Sequence, residues 1–225
     1  MTILNSLKGG LVVSCQPLTG GPMDQTDIIV AMARAAVDGG ADGLRIEGVN
    51  NMRAVRAAVS VPLIGIVKRD LPDTPVRITP FVSDALELIE AGADIVAYDA
   101  TDRPSRDTRS DIVRAIFEAG ALAMGDCATL RDAKAAQDIG TAIIGTTLSG
   151  YTAETETEAT DPDFALVTAF TKLGGFVMAE GRYNAPDLAR RAIEAGANCV
   201  TVGSAITRIE HISQWFSDAV KRAAK

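Results

Sequence analysis

Histidine and cysteine are both scarce in this sequence. His211 is the single histidine among 225 residues, which excludes any site that needs two imidazoles from one chain, such as a multi-histidine zinc site. The three cysteines, Cys15, Cys127 and Cys199, are an odd number with no CxxC spacing, and this argues against a disulfide framework or a zinc knuckle. The sequence therefore predicts reduced thiols, no metal site, and chemistry carried by other side chains.

Positive charge and long apolar runs are also lacking. The chain has 22 lysines and arginines and 29 aspartates and glutamates, which gives a net charge of 22 − 29 = −7. The surface as a whole therefore repels nucleic acid and anionic lipid. No run of about 18 apolar residues occurs, and the first residues do not resemble a signal peptide. Because 47% of the residues are nevertheless hydrophobic, we expect a folded cytoplasmic protein whose partner is a small molecule, not nucleic acid or a membrane.

One phrase recurs along the chain. Each copy combines the end of a helix, a glycine suited to a helix cap, a short apolar run and a terminal polar residue. The six copies are AVDGGADGLRIEG, LIEAGADIVAYDAT, IFEAGALAMGDC, AQDIGTAIIGTT, FTKLGGFVMAEG and AIEAGANCVTVGSA. With GLVVSCQ and PLIGIVK they give eight apolar strands, and strands that are apolar on both faces are typical of a parallel sheet covered by helices.

Eight strand–helix units predict an α/β fold, a single (β/α)8 TIM barrel over residues 1–225 with no domain boundary. The alternative is an open doubly wound sheet. If such a sheet bound a dinucleotide, it would usually carry GxGxxG after its first strand, whereas this chain has SCQPLTGGP there.

Each predicted strand ends in a polar side chain, and in this fold the carboxyl ends of the strands form the active site. In chain order these residues are Gln16, Arg45, Lys68, Asp99, Asp126, Thr147, Glu180 and Ser204. Each has a structural alternative, such as an Arg45–Asp99 ion pair or Thr147 capping a turn. Taken together they predict a ligand site, because several charges around one mouth are costly to desolvate without a ligand.

A phosphate site is predicted after the eighth strand. Gly203 and Ser204 open a helix there, and Arg208 follows within about one turn, while barrels often hold phosphate between their seventh and eighth loops. Arg182 lies in the neighbouring AEGR segment and could add a second bidentate contact. The structural alternative is a plain tight turn at Gly203.

Lys68 and Glu180 end the third and seventh strands. These strands lie four apart in an eight-stranded ring, so the two side chains should approach a bound molecule from opposite sides. Two proton-handling groups so placed suit inversion at one carbon. The structural alternative for Lys68 is an ion pair with Asp99 or Asp126.

Two further features are interpreted as structural. His211 and Trp215 lie four residues apart in HISQWFSDAV, a spacing more typical of packing on a helix than of catalysis. The acidic segment 151–163 is predicted to be a solvated loop after the sixth strand, with closure over a ligand as the alternative.

At several of these motifs the sequence resembles the N-acetylmannosamine-6-phosphate 2-epimerases, a family of bacterial enzymes of sialic-acid catabolism. The likeness covers nearly the whole chain and is carried by SCQP, IGIVKRD, ATDRP, GDCATL, IIGTTLSGYT, AEGRYN and VGSAITR. One block departs from the family pattern, since Gly125 and Ala128 stand where the family reads closer to ADCS. Ala128 therefore lacks the hydroxyl that the serine of this block supplies in the family.

The resemblance implies a TIM barrel, commonly a homodimer, that needs no cofactor or metal and interconverts N-acetylmannosamine 6-phosphate and N-acetylglucosamine 6-phosphate. Lys68 and Glu180 match the family's catalytic pair. The residues that match its substrate-binding positions are Gln16, Arg45, Asp126 and Arg208. Epimerisation would proceed by deprotonation and reprotonation at C2. Lys68 would exchange the proton on one face, and Glu180 would serve the other face or assist ring opening. Alternatively, Lys68 would stabilise the enolate oxygen while Glu180 or a substrate hydroxyl moves the protons.

Two other functions fit the same residues. A class I aldolase would use Lys68 as a Schiff-base nucleophile on the same barrel. A non-catalytic sugar-phosphate sensor would use the phosphate site alone.

Overall fold

The computed structural model describes residues 2–224 and contains a closed barrel of eight parallel strands. The strands are Gly10–Cys15 (β1), Gly43–Glu47 (β2), Leu63–Ile66 (β3), Ile95–Asp99 (β4), Leu122–Asp126 (β5), Ile143–Gly145 (β6), Phe176–Glu180 (β7) and Cys199–Val202 (β8). The helices are Ile3–Leu7 (α1), Thr26–Asp38 (α2), Val49–Arg56 (α3), Val82–Glu90 (α4), Arg109–Glu118 (α5), Leu130–Asp138 (α6), Phe164–Thr171 (α7), Pro186–Glu194 (α8), Ser204–Thr207 (α9) and Ile209–Ala223 (α10). The predicted (β/α)8 fold is confirmed.

The strands follow one another around the ring in chain order, and β8 closes on β1. In this order β3 and β7 are four strands apart and therefore face each other across the barrel. The register aligns Ser14 with Arg45 and Glu180 with Thr201. Because the strands of a closed barrel are tilted, residues aligned in register are offset along the barrel axis.

Alternate residues of each strand point into the barrel, as the period of two requires. The apolar inward positions pack into one cluster that includes Ile64, Ile95, Met124 and Met178. This cluster fills the part of the barrel nearer the amino ends of the strands. Polar inward residues are thereby confined to the layers near the carboxyl ends.

The glycines of the repeated phrase turn the chain from each helix into the next strand. Gly92, which follows α4, has φ +103°, and an added Cβ would lie 2.5 Å from Cγ of Arg56. A larger residue is excluded there both by the left-handed backbone and by the lack of space. The recurring glycine is thus a conformational requirement of the repeat.

The last helix, α10, differs from the others because none of its described residues is buried. Its apolar residues Ile209, Phe216 and Val220 are exposed. Along residues 2–224, no helix has the length and apolar character needed to cross a membrane. Cys15, Cys127 and Cys199 are free and buried.

Candidate active site

A cavity of about 470 Å³ opens at the carboxyl ends of the strands, and we call it the mouth cavity. Nine of the eleven residues predicted at the mouth line it: Gln16, Arg45, Lys68, Thr147, Glu180, Arg182, Gly203, Ser204 and Arg208. Of the other two, Asp126 is fully buried and hydrogen-bonded to Arg45, and Asp99 does not line the cavity. The structure therefore brings all the predicted residues except Asp99 together at one place.

Arg45 connects the carboxylates of β5 and β7. Its guanidinium binds Asp126 through two hydrogen bonds, Nη1–Oδ1 at 3.1 Å and Nη2–Oδ2 at 2.5 Å. Nη1 also donates to Oε2 of Glu180 at 2.9 Å, and the Thr147 hydroxyl donates to Oδ1 of Asp126 at 2.6 Å. The side chain of Arg45 is 2% exposed, so these charges interact with little screening by water.

This environment changes the titration of two groups. Burial raises the pKa of Glu180 to about 7, although the positive charge of Arg45 acts to lower it. Burial disfavours the charged form of Arg45, but Asp126 and Glu180 outweigh this effect and raise its pKa. Arg45 thus stays charged, whereas Glu180 can take up or release a proton near neutral pH.

Lys68 follows β3 and projects into the mouth cavity. Its Nζ donates to Oε1 of Gln16 at 2.7 Å and to Oε2 of Glu47 at 2.8 Å. The expected alternative, an ion pair with Asp99 or Asp126, is wrong because Glu47 is the carboxylate that pairs with Lys68.

Asp99 is removed from the site by partners on its own loop. Its carboxylate accepts from the Thr101 hydroxyl at 2.5 Å and forms an ion pair with Arg103. Asp99 is buried and its pKa is raised, chiefly by burial. It does not pair with Arg45, and that expectation is also wrong.

The end of the second strand was misassigned from the sequence. Arg45 is the third of five residues in β2, and the strand ends at Glu47. Both side chains lie on the inward face because they are two residues apart. The alternation of Arg45, Ile46 and Glu47 was the signal that could have identified Glu47.

The eighth strand and its loop bring a cation to the rim of the cavity. Arg208 donates from Nε to the backbone oxygen of Gln16 at 3.0 Å, which fixes the guanidinium beside the first strand. Gly203 and Ser204 line the same part of the wall. Helix α9, which Ser204 begins, has four residues.

Arg182 lines the mouth cavity, but much of its guanidinium is engaged by the loop after β6. Nη1 donates to the backbone oxygen of Ser149 at 2.7 Å, and Nε donates to that of Asp161 at 2.8 Å. The guanidinium carbon also lies 5.6 Å from the ring centroid of Tyr151. Arg182 has φ +62°, an uncommon backbone conformation for a non-glycine residue.

His211 and Trp215 were interpreted as packing residues, yet both line the mouth cavity. Their ring centroids are 6.4 Å apart, so the predicted helical contact exists as well. The helix spacing alone could not show this, because it does not tell which way α10 leaves the barrel.

Comparison with known proteins gives one consistent result. Residues 29–222 match the family model described as "Putative N-acetylmannosamine-6-phosphate epimerase". The chain belongs to this epimerase family. The resemblance drawn from the sequence motifs is thereby confirmed.

Relatives in the family align over nearly their full lengths. A Pasteurella multocida protein described as "Putative N-acetylmannosamine-6-phosphate 2-epimerase" is 56% identical, covering 98% of this chain and 96% of that protein. A Vibrio cholerae protein with the same description is 57% identical, covering 97% and 90%. The solved N-acetylmannosamine-6-phosphate 2-epimerase of Clostridium perfringens is 36% identical with a TM-score of 0.94, covering 97% and 96%.

The departure at the GDCA block does not alter the cavity wall of this epimerase-family chain. Gly125 points away from the cavity, since an added Cβ would lie 3.0 Å from Cβ of Ala100 and 3.3 Å from that of Ala136. Ala128 is buried and its backbone N–H donates to Asp132 at 3.2 Å. Neither residue lines the mouth cavity.

Proposed function

We propose that this chain interconverts N-acetylmannosamine 6-phosphate and N-acetylglucosamine 6-phosphate, as an isomerase of amino-sugar catabolism. The observation that carries the proposal is the pair Lys68 and Glu180, which extend from β3 and β7 into one cavity. Membership of the epimerase family agrees with it. The family assignment favours neither of the two alternatives, the Schiff-base aldolase and the sensor.

The proposed reaction inverts C2 of the open-chain aldehyde. One of the two groups removes the C2 proton to give an enolate next to C1, and the other returns a proton to the opposite face. Glu180 suits this exchange because burial raises its pKa to about 7, near the pH at which a general base is most effective. Lys68 serves the other face. In the alternative, Lys68 stays protonated and stabilises the enolate oxygen, and Glu180 or a substrate hydroxyl moves the protons.

The remaining predicted residues are proposed to bind and orient the substrate. Arg208, with Gly203 and Ser204, would hold the phosphate at the rim, because guanidinium groups bind phosphate through two hydrogen bonds. The residues proposed to act on the sugar or to orient the pair are Gln16, Arg45, Asp126, Thr147 and Arg182.

The test is the variant Lys68→Ala, assayed in both directions with the two sugar phosphates. We expect a loss of turnover of about 100-fold or more with phosphate binding retained, because the variant leaves the proposed phosphate residues Arg208, Gly203 and Ser204 unchanged. In heavy water, the wild type should introduce deuterium at C2. Conversion without label in product or recovered substrate would count against the enolate route, unless one shielded base returned the same proton.

Two results would favour the alternatives. Covalent trapping of Lys68 by borohydride in the presence of a sugar phosphate would indicate the aldolase. A wild type that binds the sugar phosphates without turnover, together with a Lys68→Ala variant that binds them equally well, would indicate the sensor.

We also propose a homodimer and a cytoplasmic location, with residues 1–225 acting as one catalytic domain. The exposed apolar face of α10 supports the dimer, since contiguous apolar surface often marks an interface. Three free cysteines agree with a reducing compartment.

A further inference from the structure

Lys68 is held by a carboxylate that neither the sequence motifs nor the proposed mechanism uses. Its Nζ lies 2.8 Å from Oε2 of Glu47 and 2.7 Å from Oε1 of Gln16. A lysine side chain has four rotatable bonds, and a single partner leaves its ammonium mobile. Two acceptors, Glu47 at the end of β2 and Gln16 directly after β1, fix its position.

The other carboxylates near the cavity are engaged elsewhere. Asp126 accepts from Arg45 and Thr147, and Glu180 accepts from Arg45. Glu47 is thus the carboxylate within hydrogen-bond distance of the lysine.

Strand β2 provides this arrangement through its alternation. Arg45 and Glu47 both face inward, one layer apart, and Glu47 is aligned with Ile66 of β3. Arg45 binds the carboxylates of the far side of the barrel, whereas Glu47 binds the ammonium that follows the neighbouring strand. One strand therefore supplies the partner of opposite charge to each member of the proposed catalytic pair.

The end of β2 is itself anchored. The side chain of Asn51 donates from Nδ2 to the backbone oxygen of Glu47 at 2.9 Å, and the Thr26 hydroxyl donates to Oδ1 of Asn51 at 2.7 Å. The backbone N–H of Gly48 donates to the oxygen of Ile66 at 2.9 Å. The carboxylate thus extends from a fixed backbone.

We infer that Glu47 is a positioning residue that holds the ammonium of Lys68 in line with the reacting carbon. The inference rests on the proposed function. The side chains of Glu47 and Lys68 are 29% and 25% exposed, and an ion pair that water can still reach adds less to stability than a fully buried pair. The contact is therefore suited to orientation and not to holding the fold together.

The test compares Glu47→Ala and Glu47→Gln with the wild type. A misplacement of about 1 Å in a reacting group can cost about 100-fold in rate, and we expect a loss of that size in kcat for Glu47→Ala. Glu47→Gln keeps an oxygen acceptor without the charge, so it should recover part of the loss and fall about 10-fold below wild type. KM should stay within about threefold in both variants, because the phosphate contacts are intact.

The matched control is Asp70→Ala. Asp70 lies two residues beyond Lys68, pairs with Arg77 on the surface and is 80% exposed. Its removal should leave kcat within about twofold of wild type. A kcat for Glu47→Ala equally close to wild type would overturn the inference, and if Glu47→Ala fails to fold, the isosteric Glu47→Gln decides in the same way.

A second measurement separates this inference from the proposed function. Trinitrobenzenesulfonate modifies accessible lysines, and mass spectrometry can follow Lys68 against Lys172 in the same chain. Removing Glu47 should speed modification of Lys68 several-fold, because its Nζ is released from the ion pair, and an unchanged rate would overturn the inference. Absence of epimerase activity in the wild type would instead contradict the proposed function and leave this labelling result to decide the role of Glu47.

Discussion

At the scale of single residues, Arg45 is the group on which the site depends most. It is buried between Asp126 and Glu180, and removing it would leave two carboxylates close together without a cation. Breaking a buried pair in this way costs about 3–5 kcal/mol. We expect Arg45→Met to lower the free energy of unfolding by about that amount, measured by urea denaturation.

Arg106→Met is the matched control for this prediction. It removes an ion pair with Asp73 in which both side chains are about half exposed, at 47% and 52%. Pairs of this kind contribute about 1 kcal/mol or less. Equal losses in the two variants would show that Arg45 is no more important to folding than a surface arginine.

The titration of Glu180 predicts the pH dependence of activity. Its pKa in the free protein is raised to about 7 by burial, so its ionised fraction, and with it kcat/KM, should rise with pH through that value. Asp126 contributes to the raised pKa, and Asp126→Asn should therefore move the rising limb to lower pH. The surface variant Asp73→Asn is the control and should leave the rise of kcat/KM at the same pH. A rise of kcat/KM at an unchanged pH in Asp126→Asn would contradict this account.

The same shift has a consequence for stability. A carboxyl whose pKa is higher in the folded than in the unfolded state binds its proton more tightly when folded. The contribution of Glu180 to the free energy of unfolding should thus decrease as the pH rises from its usual pKa towards about 7.

The identity of the charged residues could be predicted from the sequence, but their pairing could not. Strand ends identified Lys68 and Glu180 as groups of one cavity. The partner of Lys68 depends on how far each inward residue lies along the barrel axis, and this is set by the stagger of neighbouring strands. Glu47 itself was missed because the strand was predicted to end at Arg45, two residues earlier.

At the scale of elements, the loop between β6 and α7 is attached to the barrel by Arg182. Its contacts with the backbone oxygens of Ser149 and Asp161 join the two ends of this loop to the turn after β7. We expect Arg182→Ala to expose the loop, with chymotryptic cleavage after Tyr151 accelerated about 10-fold, because local opening requires breaking fewer contacts.

Arg131→Ala provides the control for loop opening. Arg131 pairs with Glu154 of the same loop, and both side chains are more than half exposed, at 63% and 56%. Its removal should change the cleavage rate by less than about twofold. Similar acceleration in both variants would contradict a specific role of Arg182.

The repeats predicted the barrel elements better than the loops. A glycine followed by an apolar run determines local structure directly, as at Gly92. The side-chain contacts of Arg182 depend instead on a loop whose own sequence has no periodicity. The sequence identified Arg182 as a residue of the mouth, but its role in holding the loop is visible only in three dimensions.

At the scale of the whole molecule, the closed ring could be predicted from a count of strands, whereas the surroundings of α10 could not. Ile209, Phe216 and Val220 fall on one face by their spacing of seven and four residues. Their exposed fractions are 53%, 71% and 69%. A helix with such a face usually packs against another apolar surface, and no residue of α10 is fully buried by the described part of this chain.

A second copy of the chain is the partner that we propose for this face. In size-exclusion chromatography, the molar mass of the wild type measured by light scattering should therefore be twice the 23.5 kDa chain mass. The double variant Phe216→Glu/Val220→Glu should elute as a monomer, because association would bury two carboxylates in an apolar contact.

Phe117→Glu is the control, since Phe117 is 80% exposed on α5 and its substitution should leave the dimer intact. A monomeric wild type, or a double variant that remains dimeric with a native circular dichroism spectrum, would show that α10 does not form the interface.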